Sequence, residues 1–167
     1  SRVDRRTFLS VVPGAAGLAA GANAAPLPFP VIDSHIHLFD PGRPQGVPWP
    51  PKDNRVLYKR AMPDRLRKLA VPHGVVGAIE VACSPLVEDN QWVLDVAAKD
   101  RIIVGTVGNL EPGKPEFAAQ LEKLAKNPLF RGIRCGTLWG RRFTEDVERP
   151  QFLDGLKRLA SARLTMD

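Results

Sequence analysis

Two histidines one residue apart, His35 and His37, close the short apolar run Pro30-Val31-Ile32-Asp33-Ser34-His35-Ile36-His37. Imidazole is the commonest protein metal ligand, and two of them at i and i+2 near a strand end can converge on one cation at about 2.0–2.1 Å per Zn–N bond. In a regular strand successive side chains alternate faces. Asp33, His35 and His37 are then expected on one face, with Ile32, Ser34 and Ile36 on the other. A divalent metal site is the leading reading of the pair; two surface histidines beside a turn are the alternative.

Three further residues carry chemistry. Glu80 lies inside Val75–Ala82, a nearly continuous apolar run of the kind that forms a strand buried on both faces of a parallel sheet. A carboxylate there needs a partner, a hydrogen-bond network or a metal, so Glu80 is either a further ligand of the same ion or half of an ion pair with a neighbouring strand. Arg134 lies inside Phe130–Cys135, where a permanently charged guanidinium needs an anion. A substrate carboxylate and a structural Asp or Glu would both serve. Trp49 sits among Pro48, Pro50 and Pro51 in a long loop leaving the histidine end of the first strand, as pocket wall or as packing plug. His73, in Val71-Pro72-His73-Gly74, reads as an exposed turn residue without chemistry.

The elements that must position these groups alternate. Strands are predicted at Val31–His37, Val75–Ala82, Arg101–Val107 and Phe130–Cys135, with a fifth opening at Arg163–Asp167. Helices are predicted over Met62–Ala70, Asn90–Lys99, Pro115–Lys126 and Pro150–Ala160, the third with Phe117, Leu121 and Leu124 on one stripe. Strand-like segments begin at Val75, Arg101, Phe130 and Arg163, at intervals of 26, 29 and 33 residues. One strand plus one helix per unit is the rhythm of an α/β chain, either a β/α barrel or an open doubly wound sheet. No G-x-G-x-x-G or G-x-x-x-x-G-K-[ST] turn favours the doubly wound, phosphate-binding form.

The formal charge is +6 over 167 residues, and 44% of them are hydrophobic. Arg2, Arg5 and Arg6 against Asp4 account for part of that; the remainder holds 21 basic and 17 acidic residues. The bases are scattered rather than set on one aromatic-studded face, which argues against a nucleic-acid partner. Cys83 and Cys135 follow different strands and read as two free, partly buried thiols. Residues 1–24 read as a targeting segment. Asp4-Arg5-Arg6-Thr7-Phe8-Leu9-Ser10 resembles the twin-arginine export signal, an Ala/Gly-rich stretch follows, and Ala22-Asn23-Ala24 supplies small residues for cleavage. A periplasmic destination follows, with no membrane partner once the signal is removed. A basic, Ala-rich helix that stays attached is the alternative.

With those residues in place, the sequence resembles the amidohydrolase superfamily, specifically its amidohydrolase-related (family 2) branch. The match is carried by Val31-Ile32-Asp33-Ser34-His35-Ile36-His37-Leu38-Phe39-Asp40, the loop with Trp49, the strand with Glu80, Phe130-Arg131-Gly132-Ile133-Arg134 and Leu164-Thr165-Met166-Asp167. Within the branch it is most similar to sugar-lactone and dicarboxylate-lactone hydrolases, with decarboxylases as relatives. The resemblance implies a (β/α)8 barrel and a divalent metal, usually zinc, held by His35 and His37; metal-free lactonases also occur in the branch. It also implies a small-molecule substrate, and a histidine and a catalytic aspartate from later strands, beyond residue 167. A full barrel takes about 250 residues, and Ala25–Asp167 supplies 143. Residues 25–167 are accordingly expected to be the N-terminal half of a barrel, inactive alone. A decarboxylase of the same superfamily, a half-barrel completed by a second copy of the chain or by another chain, or a non-catalytic exported metal-binding module, is the alternative.

Overall fold

A computed structural model describes residues 29–167. The twin-arginine-like segment at residues 1–24 lies outside the described residues.

Five strands run parallel in chain order: β1 (Val31–Ile36), β2 (Val75–Val81), β3 (Ile103–Asn109), β4 (Phe130–Arg134) and β5 (Thr165–Met166). A helical segment returns the chain between each pair. These are α1 (Pro63–Ala70), α2 (Glu88–Ala97) and α3 (Phe117–Ala125), then α4 (Phe143–Asp146) with α5 (Pro150–Ser161). A doubly wound sheet reverses its strand order at a switch point. Across the described residues this one never does, and the arrangement is the N-terminal half of a (β/α)8 barrel. No helix among the described residues is long and apolar enough to cross a membrane.

Local chemistry explains the boundaries. Pro63 opens α1, where its missing N–H would be unpaired anyway, and Asp64 lies in the same first turn. After α1 a 3-10 turn over Val71–His73 ends on Gly74, whose φ of 87° is left-handed, and His73 is exposed there. The helical layer closes one face of the sheet. Phe117, Leu121 and Leu124 of α3 and Phe152 and Leu159 of α5 cover Phe130 and Ile133 of β4. Leu38, Ala97, Ile102 and Ile103 form a second cluster, joined by Ile36 and Leu66. Full burial of such a side chain stabilises by about 1.5–3 kcal/mol. Both cysteines are buried and free, as the sequence implies.

Three expectations change. β3 starts two residues later than predicted, because Asp100 turns the chain: its carboxylate accepts the Ile102 N–H at 3.1 Å and its carbonyl accepts the Ile103 N–H at 3.1 Å. The strand runs on to Asn109, whose backbone is held by a buried side chain on α2. Asn90 Oδ1 accepts the Asn109 N–H at 2.7 Å, and Asn90 Nδ2 donates to the Asn109 carbonyl at 2.9 Å. Second, the short helix α4 was not foreseen. Third, Asp33 leaves the histidine face. Asp33 pairs with Ala78 and Ile36 with Glu80, so three steps along β1 match two along β2. The extra residue puts Asp33 on the same face as Ile36, the one opposite His37.

Asn90 generates a stability test. Asn90→Ala leaves a buried donor and a buried acceptor of Asn109 unmade, at about 1–3 kcal/mol each. The expected outcome is an unfolding free energy in urea lowered by a total of roughly 2–6 kcal/mol in the intact protein; an unchanged midpoint would refute the clamp.

Candidate metal and substrate site

The last residues of β1 and the loop beyond it place His35 and His37 at the C-terminal ends of the strands. Their ring centroids are 5.0 Å apart with the planes at 82°. His37 Nδ1 lies 2.7 Å from the Val81 carbonyl oxygen on β2. A carbonyl only accepts, so Nδ1 carries the proton and Nε2 is left with its lone pair. Such a bond to the second ring nitrogen is how proteins orient metal-ligating histidines. Burial holds the His37 pKa below the usual imidazole value, with the Val81 bond opposing and the charge on Arg134 assisting. The ring is therefore neutral near pH 7, as a ligand must be. One oriented imidazole nitrogen beside a second imidazole suits a borderline-soft divalent ion. Among the described residues no group of three His, Cys, Asp or Glu side chains could hold an ion.

Trp49 stands edge-on to His37, with centroids 5.3 Å apart, and to Phe39, at 5.5 Å. It is 37% exposed, so it both packs on the histidine and borders the open mouth. The loop that carries it is closed by Phe39 and Ala61, whose N–H and carbonyl groups bond reciprocally at 3.0 and 2.9 Å. Arg43 anchors the same loop to α2 through Asp89 at 2.5 Å, and lies 4.0 Å over the Trp92 ring.

Glu80, named above as a further ligand, is placed elsewhere. Its register partner Ile36 belongs to the cluster packed beneath the helices, and Glu80 lines a small space with Asn90, Val93 and Thr106. It therefore sits on the sheet face opposite His37, and the structure does not bring it together with the histidines. Only 2% of it is exposed. Burial pushes its pKa up to about 8, against the pull of Arg134 and the Leu38 N–H, and the carboxyl is protonated at neutral pH.

Arg134 does lie on the histidine side, close enough to affect His37. Its Nη1 donates to the Ala82 carbonyl at 2.9 Å and its Nε is 3.4 Å from Asp167 Oδ2. Of the two anions considered for it, the structure supplies the protein carboxylate. Asp167 is itself docked against β4, its N–H donating to the Ile133 carbonyl at 2.9 Å and its carbonyl accepting the Cys135 N–H at 3.0 Å.

Residues 32–167 match the amidohydrolase family. The chain belongs to that family. This amidohydrolase is 32% identical over 103 residues to an L-fucono-1,5-lactonase of Burkholderia ambifaria, covering 62% of the chain and 35% of that protein. Its fold is similar to a zinc-bound amidohydrolase from Burkholderia multivorans, with a TM-score of 0.70 at 23% identity over 83% of the chain and 48% of the relative. A probable 2-pyrone-4,6-dicarboxylic acid hydrolase from Acinetobacter baumannii, with citric acid bound, aligns with a TM-score of 0.61 at 18% identity over 81% and 47%. The chain spans about a third of the lactonase and about half of the two solved structures.

Sequence reasoning missed the Val81 carbonyl, which leaves no trace in side-chain identity. It also ended the third strand at Val107, two residues short of Asn109. Glu80 yields a pH test. Its folded pKa of about 8 exceeds the ordinary 4.5, so the neutral acid favours folding fully below about pH 4.5, and this contribution is lost as pH rises towards 8. Relative to wild type, Glu80→Gln should become progressively more stable across that window, by up to about 1.4 kcal/mol per pH unit. Parallel denaturation curves from pH 5 to 8 for both proteins would overturn the assignment.

Proposed function

We propose that the intact protein is a metal-dependent hydrolase of a small cyclic ester, of the sugar-lactone or dicarboxylate-lactone type. The observation that carries the reading is the His37 Nδ1 bond to the Val81 carbonyl, which leaves a neutral, oriented Nε2 beside His35. Likeness to the L-fucono-1,5-lactonase supports the substrate class. His35 and His37 hold the ion, and zinc is the favoured metal because both donors are imidazoles. When bound, such an ion supplies Lewis acidity, polarising an ester carbonyl and lowering the pKa of water from 15.7 to about 7. Trp49 forms the apolar wall against which a lactone ring lies. Arg134 fixes the strand ends beneath it through Ala82 and Asp167. The chain covers 35% of the lactonase and 48% of the zinc-bound amidohydrolase, and the reading places the general base and the remaining ligands in the part of the family fold that it does not cover.

We also propose export by the twin-arginine route, which carries folded proteins and suits a chain that binds its metal before it crosses.

Replacing both His35 and His37 by Ala should abolish metal retention in the intact protein, from about one zinc per site to background, and lactone hydrolysis with it. Elemental analysis showing undiminished zinc would refute the site. Changing Arg5 and Arg6 to Lys should hold the protein in the cytoplasm; unchanged periplasmic recovery would sink the export reading.

A further inference from the structure

Between β1 and α1 the chain runs from Phe39 to Ala61 without helix or strand, closed at its stem by the reciprocal bonds of those two residues. Pro41, Pro44, Pro48, Pro50 and Pro51 bring no N–H to this loop. The donors that remain are spent locally. The Asp40 carbonyl accepts the Arg43 N–H at 3.2 Å, and the Arg43 carbonyl accepts the Gly46 N–H at 2.8 Å. Further on, the Pro51 carbonyl accepts the Asn54 N–H at 3.0 Å. Among the described residues, the hydrogen bonds and ion pairs of residues 41–59 stay within the loop and its stem, with one exception. Arg43 reaches Asp89 on α2.

That one tie is built on three sides of the guanidinium. The Arg43 and Asp89 side chains are 11% and 12% exposed, so their attraction is largely shielded from water. Arg43 Nη2 stands 2.5 Å from Asp89 Oδ1, and the guanidinium lies 4.0 Å over the centre of the Trp92 ring. A guanidinium only donates, so Gln45 turns its amide oxygen inward and accepts from Nε at 3.0 Å. Asp89 and Trp92, three residues apart, share one face of α2, and Asp89 lies in its first turn. A flat fork can pair with the first while its face stacks on the second; a lysine cannot do both. Beneath the loop, Leu38, Phe39, Arg43, Trp49, Glu80 and Trp92 line a cavity of about 20 Å³, room for one water. Side chains do not fill the space under the loop, and the height at which it carries Trp49 falls to the brace.

We propose that Arg43 is a positioning residue: braced on Asp89 and Trp92, it sets Trp49 against His37 and so fixes the wall on which the substrate ring lies. The effect on turnover rests on the lactone-hydrolase reading; the effect on Trp49 does not. Arg43 acts through Trp49 and takes no part in breaking the ester. A wall that holds substrate and transition state alike lowers KM and leaves kcat largely alone.

The test uses the intact, metal-loaded protein carrying fluorinated tryptophan. Fluorine NMR reads each ring, the Trp49 and Trp139 lines being assigned by Trp→Phe replacement. In Arg43→Met the Trp49 line should shift or split while the Trp139 line, on a loop remote from the brace, stays in place. KM for the lactone should rise at least fivefold, with a smaller change in kcat and undiminished zinc. Arg43→Lys, which keeps the charge and loses the fork, should fall between Met and wild type in both readouts. In a Trp49→Ala background, Arg43→Met should alter KM less than twofold, because the residue it acts through is gone. An unmoved Trp49 line in Arg43→Met overturns the proposal. A full further rise in KM on the Trp49→Ala background does so too, as does a Trp139 line that moves as far as that of Trp49. The fluorine lines need no turnover, so the brace is judged even if no lactone is hydrolysed.

Discussion

The site depends on one hydrogen bond between neighbouring strands, from the His37 ring to the Val81 carbonyl. It decides which nitrogen carries the proton, and so which one faces outward with a lone pair. The bond exists only because β1 and β2 run parallel in a register that brings residue 37 beside residue 81. That register contains the extra residue between Asp33 and Ile36. A bulge re-aims the side chains that follow it: with strict alternation from Asp33, Ile36 would leave the helix layer and His37 would turn towards it. The irregularity in β1 is therefore part of the design of the site.

The sheet divides charge between its two faces. On the helix side, Glu80 meets Asn90, Val93 and Thr106 in a small space with almost no access to water. A carboxylate there would be stripped of hydration, and the group stays protonated instead. Asn90 in the same layer spends its amide on the backbone of Asn109. On the other side, the histidines, Trp49, Arg134 and Asp167 keep partial exposure, and ionised groups persist. Chemistry that needs a charged or ligating group belongs to that open side. The buried Cys83 thiol, with a pKa pushed up to about 12, is inert for the same reason that Glu80 is neutral.

Much of the fold was legible because burial leaves a period in the sequence. The apolar run of β2 and the stripe Phe117, Leu121, Leu124 each announce an element, and their alternation announces the β/α repeat. Chain-order strand pairing then decided for the barrel. What stayed hidden is whatever depends on backbone atoms or on register. The Val81 carbonyl has no residue signature. Asp33 was assigned to the histidine face because alternation cannot reveal a bulge. Glu80 was recognised as an unusual charge in an apolar run, but the same run fits either face, and only pairing with Ile36 shows which one it occupies. Asn109 fell outside the predicted third strand because its partner, Asn90, lies 19 positions away on another element.

Arg134 shows how a structural contact bears on chemistry without touching the reacting atoms. It reaches the Ala82 carbonyl beyond β2 and the Asp167 carboxylate beyond β5, while its own backbone lies in β4. One guanidinium therefore ties together the ends of three strands. Its positive charge disfavours protonation of His37, which helps keep the imidazole available as a ligand, but alone it would also repel a cation from the same place. Asp167 carries the opposite sign and acts on His37 in the opposite direction. With the pair in place Asp167 opposes part of the Arg134 effect, and both are smaller than burial and the Val81 bond. What remains at His37 is burial, which removes its proton, and the Val81 carbonyl, which orients the neutral ring. The ion pair thus lets geometry rather than net charge decide what the histidines bind.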